Sequence, residues 1–218
     1  MDKTICIFIA ATTGSGDANV SISAIKDVYG YSETFMDLGV DPSNIHIITD
    51  SDKKNLTKYK NTFDKCHIYK NIDVLTQLLN RENSSFIITL SGHGYYGSGC
   101  VYTIFNNYKI TSTKLTSYIR GISRSSSAMI FGDLCHSQTM FDVHTINHPY
   151  IDYISACLDS QMSTQSCSED YGYNGGLTSC ILDYLKIYRS INIDELVSYC
   201  SKRLINAGQH VTHNKSYN

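Results

Sequence analysis

The sequence predicts an α/β fold in which helices cover both faces of a mostly parallel sheet, a three-layer α/β/α sandwich. Short apolar runs typical of buried strands alternate along the chain with segments whose apolar residues recur at helical spacing. This alternation is what parallel strands joined by crossover helices require. The chain has 218 residues, and neither of its two prolines marks a linker, so we expect a single domain over residues 1–218.

The first half of the chain begins the alternation. Residues 5–10 form a continuous β-prone run, and a loop rich in Gly, Ser and Thr follows it. Helical spacing then extends from residue 20 to about residue 38, where Gly39 is placed to end the helix. Residues 45–48 predict the second strand, and helical spacing returns over 72–79.

The second half of the chain continues the alternation of predicted strands and helices. Residues 86–90 predict a strand that ends in Ser-Gly-His-Gly, and 101–110 predict a small hairpin. A helix over 115–119 leads to a strand at 128–131, which ends just before Cys135. Residues 150–156 predict a further strand, followed by a long polar loop to Gly176. Two helices, over 177–185 and 196–204, complete the predicted elements.

Composition limits the function classes. The formal net charge is −2 and charged residues are 17% of the chain, so we expect neither nucleic acid nor a membrane surface as a partner. The eight cysteines form no CxxC pair and no regular framework, which favours a reduced, intracellular and cytoplasmic protein. The apolar run at residues 5–11 is too short for a signal peptide, and no run has the length that crossing a membrane requires.

Two residues with catalytic chemistry follow neighbouring predicted strands. His93 follows the strand at 86–90, and Cys135 follows the strand at 128–131. Open α/β sheets hold their sites at the carboxyl ends of their strands, so we expect the imidazole and the thiol to meet there. An imidazole can take the proton of a thiol and activate it for attack on a carbonyl. The backbone N–H groups of Gly94 and Cys135 are the predicted donors to an oxyanion.

These residues carry a resemblance to a known family. Ser91-Gly92-His93-Gly94 and Asp133-Leu134-Cys135-His136-Ser137 resemble the histidine and cysteine motifs of metacaspases, which belong to the caspase-like cysteine peptidases. Several further segments recur in the family order, so the resemblance covers nearly the whole chain: 5–10, 47–50, 154–157, 175–178 and 208–209. It implies a caspase-like sandwich and a His93–Cys135 dyad that cleaves peptide bonds through an acyl-enzyme.

The resemblance also implies which substrates are cleaved. Metacaspases prefer Arg or Lys before the scissile bond and bind it in an acidic pocket, to which Asp133 corresponds. Asp27 and Ser91 match two further pocket positions, although the glycine and cysteine that surround the first of these in the family are absent here. Carboxylates in a concave site would pair with a guanidinium or ammonium group. For Asp27, exposure on a helix face remains an alternative.

The sequence departs from the family at two places. Gln138 stands where a glycine usually follows the Cys-His-Ser segment, so we expect an altered local turn. Residues 110–115 lack the paired aspartates that help many metacaspases bind activating calcium. Serine and threonine hydroxyls are poor calcium ligands, so we expect no required cofactor and calcium-independent activity. The spacing of His136, His144 and His148 fits no common zinc site, and we predict no metal ligands.

The distribution of basic residues predicts how the chain is processed. Residues 125–185 contain no Lys or Arg, so an enzyme with basic specificity would not split itself there into large and small subunits. We therefore expect an uncut chain, and a monomer by analogy with metacaspases. The expected partners are protein or peptide substrates with a basic residue before the scissile bond.

Two alternatives remain open at this point. The first is a catalytically idle caspase-like domain that binds partners through the same cleft. The second is a related peptidase of the same superfamily that cleaves after Asn or Asp. Cleavage of peptides ending in Arg, Lys, Asp or Asn distinguishes all three.

Overall fold

The computed structural model describes residues 3–13, 18–163, 165–168 and 172–217. Within these ranges the helices are α1 (Ala18–Asp37), α2 (Lys53–Thr57), α3 (Lys60–Phe63), α4 (Leu75–Leu78), α5 (Ser112–Ile119), α6 (Gly176–Tyr188) and α7 (Ile193–Leu204). The strands are β1 (Lys3–Ala11), β2 (Ile45–Thr49), β3 (His67–Tyr69), β4 (Ser84–Gly92), β5 (Tyr95–Gly97), β6 (Cys100–Phe105), β7 (Tyr108–Thr111), β8 (Ser127–Asp133), β9 (Ile151–Ser155), β10 (Gln165–Ser168), β11 (Gly172–Gly175) and β12 (Thr212–Lys215).

A seven-stranded central sheet organises the fold. Its strand order is β12-β9-β8-β4-β1-β2-β3, and all neighbours pair in parallel except β12, which is antiparallel to β9. Helices cover the two faces, so the predicted three-layer α/β/α sandwich with a mostly parallel sheet is confirmed. Two smaller antiparallel sheets, β5-β6-β7 and β10-β11, stand beside the central one.

The alternation of side chains along β1 divides the core into two halves. Ile5, Ile7 and Ile9 face one side and pack with residues of α4 and α5, whereas Cys6 and Phe8 face the other and pack with residues of α1, α6 and α7. All of these β1 side chains are fully buried. A strand covered on both faces has no polar side, which is why its sequence is continuously apolar.

Several predicted elements differ from the structure. The helix predicted over 72–79 is a 3-10 turn at Ile72–Val74 followed by the single turn of α4. The polar stretch before Gly176, predicted as a loop, contains the paired strands β10 and β11. The strands β10 and β12 carry few apolar residues, so no alternating pattern marks them in the sequence.

The hairpin predicted at 101–110 is confirmed. Strands β6 and β7 pair around Asn106 and Asn107, which both have positive φ angles (51° and 63°). Asparagine tolerates this conformation better than most residues and is common in tight hairpin turns. Among the helices formed by the described residues, none is both long and apolar enough to span a bilayer.

Candidate active site

The pairing of β4 with β8 sets the relation between the two predicted catalytic residues. The two strands are parallel neighbours, and Ser91 lies opposite Asp133 in their register. His93 and Cys135 each come two residues later, so they leave the same end of the sheet from adjacent strands. The expectation that the two motifs meet at one edge of the sheet is confirmed by this register.

The backbones that carry the two residues touch at Gly94. A Cβ atom at this position would lie 1.8 Å from the carbonyl oxygen of Cys135 and 3.2 Å from its backbone nitrogen. Any side chain at residue 94 would therefore push the histidine loop away from the cysteine. Gly94 is buried, and the backbone nitrogen of Cys135, the other predicted oxyanion donor, lies beside it.

The small sheet β5-β6-β7 holds the histidine loop in place. The hydroxyl of Thr103, which is fully buried in β6, donates a hydrogen bond to the carbonyl oxygen of His93 at 2.7 Å. The rings of His93 and Tyr95 lie with their centroids 5.9 Å apart. The small sheet thus holds the His93 backbone and places the Tyr95 ring beside the imidazole.

The environment of Cys135 favours the neutral thiol. Burial raises the pKa of this thiol above its usual range, and the negative charge of Asp133 raises it further. The backbone N–H of Ser163 donates to the Cys135 sulfur at 3.3 Å and opposes these effects by stabilising the thiolate. A thiol that is protonated at neutral pH needs a base to become a nucleophile, which is the role available to His93.

The turn after the nucleophile is strained at His136 and relaxed at Gln138. His136 has a positive φ of 55°, and it is held there because its N–H donates to the carbonyl oxygen of Gln161 at 3.0 Å. Gln138 does not adopt a positive φ, so the absence of the usual family glycine causes no backbone strain at that position. Its carbonyl oxygen accepts a hydrogen bond from the Asn214 side chain in β12 at 3.2 Å.

Asp133 ends β8, and its side chain lies in a buried polar cluster, termed the pocket below, which also contains Asp27, Ser91, Asn174 and Thr178. Its side chain is 6% exposed and accepts hydrogen bonds from the Thr178 backbone N–H at 2.7 Å and the Ser163 hydroxyl at 3.0 Å. Thr178 belongs to the first turn of α6, and the N-cap of that helix, Gly175, has no side chain to cap it. A carboxylate from a distant strand therefore occupies the place of a capping residue, where the helix dipole favours negative charge.

Asp27 lies in the same pocket, contributed by α1. Its carboxylate is 2% exposed and accepts hydrogen bonds from the Asn174 side-chain amide at 2.9 Å and the Gly175 backbone N–H at 3.0 Å. The alternative of a solvent-exposed helix face is thus wrong for Asp27. Gly175 separates the two carboxylates, because a Cβ atom there would lie 2.1 Å from Oδ2 of Asp133.

The two carboxyl groups destabilise each other's charge. Burial raises the pKa of Asp27 to about 7, and the charge of Asp133 contributes further to this increase. Burial likewise raises the pKa of Asp133. The Ser91 hydroxyl, 1% exposed at the end of β4, is close enough to Asp27 to lower its pKa and partly offset the shift. The structure therefore brings Asp27, Ser91 and Asp133 together beside Cys135, in a pocket whose described hydrogen-bond donors are all neutral.

Residues 110–115, which lack paired acidic residues, provide the N-terminal cap of α5. The Thr111 hydroxyl caps α5 by accepting from the Lys114 backbone N–H at 3.3 Å. The nearby carboxylate of Asp73 is engaged by the Tyr118 hydroxyl at 2.5 Å and the Lys114 ammonium at 3.6 Å. Hydroxyls already used in capping, beside a lysine, do not fit a calcium ion.

Sequence reasoning missed several residues of this site. Ser163 contacts both the nucleophile and the pocket, but it lies in a polar stretch with no pattern that marks it. Asn174, which is fully buried, was likewise not identified from the sequence. The pair Gly175-Gly176 at the start of a helical pattern was the available signal, because small residues permit close approach of backbone to a carboxylate.

Comparisons with known proteins bear on the fold alone. No protein-family model matches the sequence, and no curated protein matches it significantly. Among solved structures, the chain is similar to the crystal structure of protein GSU0716 from Geobacter sulfurreducens, with a TM-score of 0.69 and 12% sequence identity. The match covers 99% of this chain and 94% of the other.

Proposed function

We propose that the protein is a cysteine endopeptidase of the metacaspase type that cleaves peptide bonds after Arg or Lys. The observation that carries the proposal is the pocket beside Cys135. Two carboxylates from different elements, Asp27 and Asp133, are buried there side by side, and the hydrogen bonds they accept come from neutral groups. A cationic side chain is the ligand that such a pocket would stabilise.

The chemistry assigned to the dyad is nucleophilic. His93 takes the proton of the Cys135 thiol as the sulfur attacks the carbonyl carbon of the scissile peptide bond. The oxyanion that forms is bound by the N–H groups of Gly94 and Cys135. When the C–N bond breaks, the leaving amine takes the proton from His93, and water then hydrolyses the thioester.

The pocket supplies specificity in the same proposal. A guanidinium or ammonium group beside the two carboxylates would relieve their mutual repulsion, which the free enzyme lowers by retaining a proton on Asp27. An acidic side chain would add a third negative charge to the pocket and be rejected. The carboxylates thus argue against acid-directed cleavage.

A panel of fluorogenic peptides tests the proposal. Peptides identical except for Arg, Lys, Asp or Asn before the reporter are offered to the wild type and to Cys135→Ala. We expect cleavage of the Arg and Lys peptides alone, reduced at least a thousandfold by the substitution. Absence of cleavage by the wild type would favour an idle binding domain, and cleavage after Asp or Asn would favour the other peptidase class.

A further inference from the structure

The segment that follows α7 reaches back to the loop beside the nucleophile. Gln209 is 1% exposed, and its side-chain amide nitrogen lies 3.3 Å from the carbonyl oxygen of Ala156 and 3.3 Å from the hydroxyl oxygen of Ser163. Ala156 follows β9 directly, and Ser163 lies seven residues later. One buried amide therefore joins the two ends of the loop at 157–163.

The hydrogen bonds of this amide have a fixed direction. The Ala156 carbonyl oxygen can only accept, so the side-chain atom of Gln209 that faces it must be the NH₂ nitrogen. The same nitrogen donates to the Ser163 hydroxyl, which leaves the hydroxyl proton free for Asp133 Oδ1 at 3.0 Å. A chain of donors thus runs from Gln209 through Ser163 to the pocket carboxylate.

Ser163 links this chain to the nucleophile as well. Its backbone N–H donates to the Cys135 sulfur at 3.3 Å, while its side chain holds Asp133. Both contacts depend on the position of one residue. The orientation of Ser163 therefore affects the nucleophile and the pocket together.

A second glutamine fastens the same loop to the same segment. The side-chain oxygen of Gln161 accepts from the backbone N–H of His210 at 3.3 Å, and its amide nitrogen donates to the carbonyl oxygen of Gly208 at 3.1 Å. The loop is therefore fastened to residues 208–210 at two points. Hydrogen bonds between segments this far apart in sequence restrict the loop without any contribution from substrate.

We propose that Gln209 is a positioning residue that holds Ser163 with its N–H on the Cys135 sulfur and its hydroxyl on Asp133. Its effect on catalysis rests on the proposed function, but its effect on the thiol does not. Gln209 touches no reacting atom and acts through Ser163. Loss of the amide would loosen the Ser163 end of the loop and weaken both the N–H contact that stabilises the thiolate and the hydroxyl contact with Asp133.

The test is the rate at which iodoacetamide alkylates Cys135, followed by peptide mass spectrometry across a range of pH. Gln209→Met removes the amide and keeps an unbranched neutral side chain of similar length. We expect alkylation at pH 7 to slow about three- to tenfold, with the pH profile displaced upward by about half a unit to one unit. With an Arg peptide, kcat/KM should fall about tenfold, mainly through kcat.

Two further variants make the test decisive. Gln77→Met changes an exposed glutamine of α4 and should leave alkylation unchanged. Ser163→Ala keeps the backbone N–H but loses the hydroxyl that Gln209 holds, so the rate of Cys135 alkylation should fall in this variant too. If Gln209→Met does not fold, the alkylation rate of Ser163→Ala tests the proposal in its place. Unchanged alkylation with only a lower melting temperature would overturn the inference. If the wild type cleaves no peptide, the proposed function is wrong, and the alkylation rates still test whether Gln209 positions Ser163.

Discussion

Two carboxylate sites at the same end of the central sheet have opposite characters. Asp50, directly after β2, accepts five hydrogen bonds, from the backbone and hydroxyl of Thr12, the backbone and hydroxyl of Thr13, and the backbone of Asn106. Asp133, at the end of β8, accepts hydrogen bonds from Thr178 and Ser163 and is stabilised further by the backbone N–H of Leu177. Both carboxylates are thus held by neutral donors of their own chain, and Asp133 in addition shares its site with the carboxyl group of Asp27.

The comparison shows that aspartates at equivalent positions, each at the carboxyl end of a strand, have different roles. Asp50 ties the loop after β1 to the turn between β6 and β7 through donors of its own chain, so these contacts need no ligand. Asp133 instead lies beside a second carboxyl group, whose charge opposes its own. Loss of Asp50 should therefore affect the folded state, and loss of Asp133 should affect substrate binding.

Asp133→Asn should produce the largest functional effect. The variant keeps the size of the side chain but removes the charge that would pair with a basic substrate, so kcat/KM for an Arg peptide should fall at least a hundredfold. Because the charge of Asp133 raises the pKa of the Cys135 thiol, alkylation of Cys135 should become faster in the same variant. Steady-state kinetics and alkylation measure the two effects. If Asp133→Asn cleaves the Arg peptide as well as the wild type does, Asp133 does not take part in substrate recognition.

Asp50→Asn should mainly lower stability. The new amide nitrogen would face donors that now meet a carboxylate oxygen, leaving buried N–H and O–H groups without an acceptor at a cost of about 2–4 kcal/mol. Urea denaturation measures this change. The matched control is Asp64→Asn, which alters an exposed ion pair with Lys60 and should leave stability nearly unchanged. A loss of activity in Asp50→Asn without a loss of stability would contradict the comparison.

The pH dependence of stability tests the pairing of Asp27 with Asp133. The pKa of Asp27 is about 7 in the folded protein and 3.8 as its ordinary value, so the folded state holds this proton more tightly than the unfolded state. This contribution to stability is complete below about pH 4 and is lost as the pH rises through 7. Its slope is on the order of 1.4 kcal/mol per pH unit within that window.

Asp27→Asn should remove that slope. Denaturation of the wild type and the variant at pH 5 and pH 8 measures it, and the variant should lose less stability than the wild type over this interval. Equal losses in the two proteins would show that Asp27 does not carry the proton.

Calcium should have the smallest effect. The hydroxyl of Thr111 caps α5, and Lys114 with Tyr118 occupies Asp73, so residues 110–115 provide no ligand set for this ion. Activity on an Arg peptide should change by less than about twofold between added calcium and a chelator. An increase of orders of magnitude would show that calcium binds elsewhere and activates the enzyme.

The sequence was sufficient to predict five strands of the central sheet, β1, β2, β4, β8 and β9, and the edge of the sheet at which the motifs meet, whereas the short strand β3 was not predicted. Continuous apolar runs such as 5–10 and 86–90 have a direct physical cause, because strands covered on both faces must be apolar throughout. Asp133 and Cys135 follow such a run, so their place at a strand end could be predicted. The polar strands β10 and β12 have no comparable pattern and were missed.

The parts of the site that sequence reasoning could not reach depend on long-range contacts. Ser163 meets Asp133 across 30 residues, and Gln209 meets Ser163 across 46. No local propensity encodes either contact, because each arises only when the loop at 157–163 and the segment after α7 have folded against the sheet. The burial of Asp27 is of the same kind, since it requires β11 to supply Asn174 and Gly175.

The most direct test of the central claim is the ratio of kcat/KM for two peptides that differ only in Arg or citrulline before the scissile bond. Citrulline has nearly the shape of Arg but carries no charge, so the ratio isolates the electrostatic part of recognition by the pocket. The account predicts a ratio of at least about 100 in the wild type, falling at least tenfold in Asp133→Asn, in which Asp27 remains. Equal cleavage of the two peptides by the wild type would contradict it.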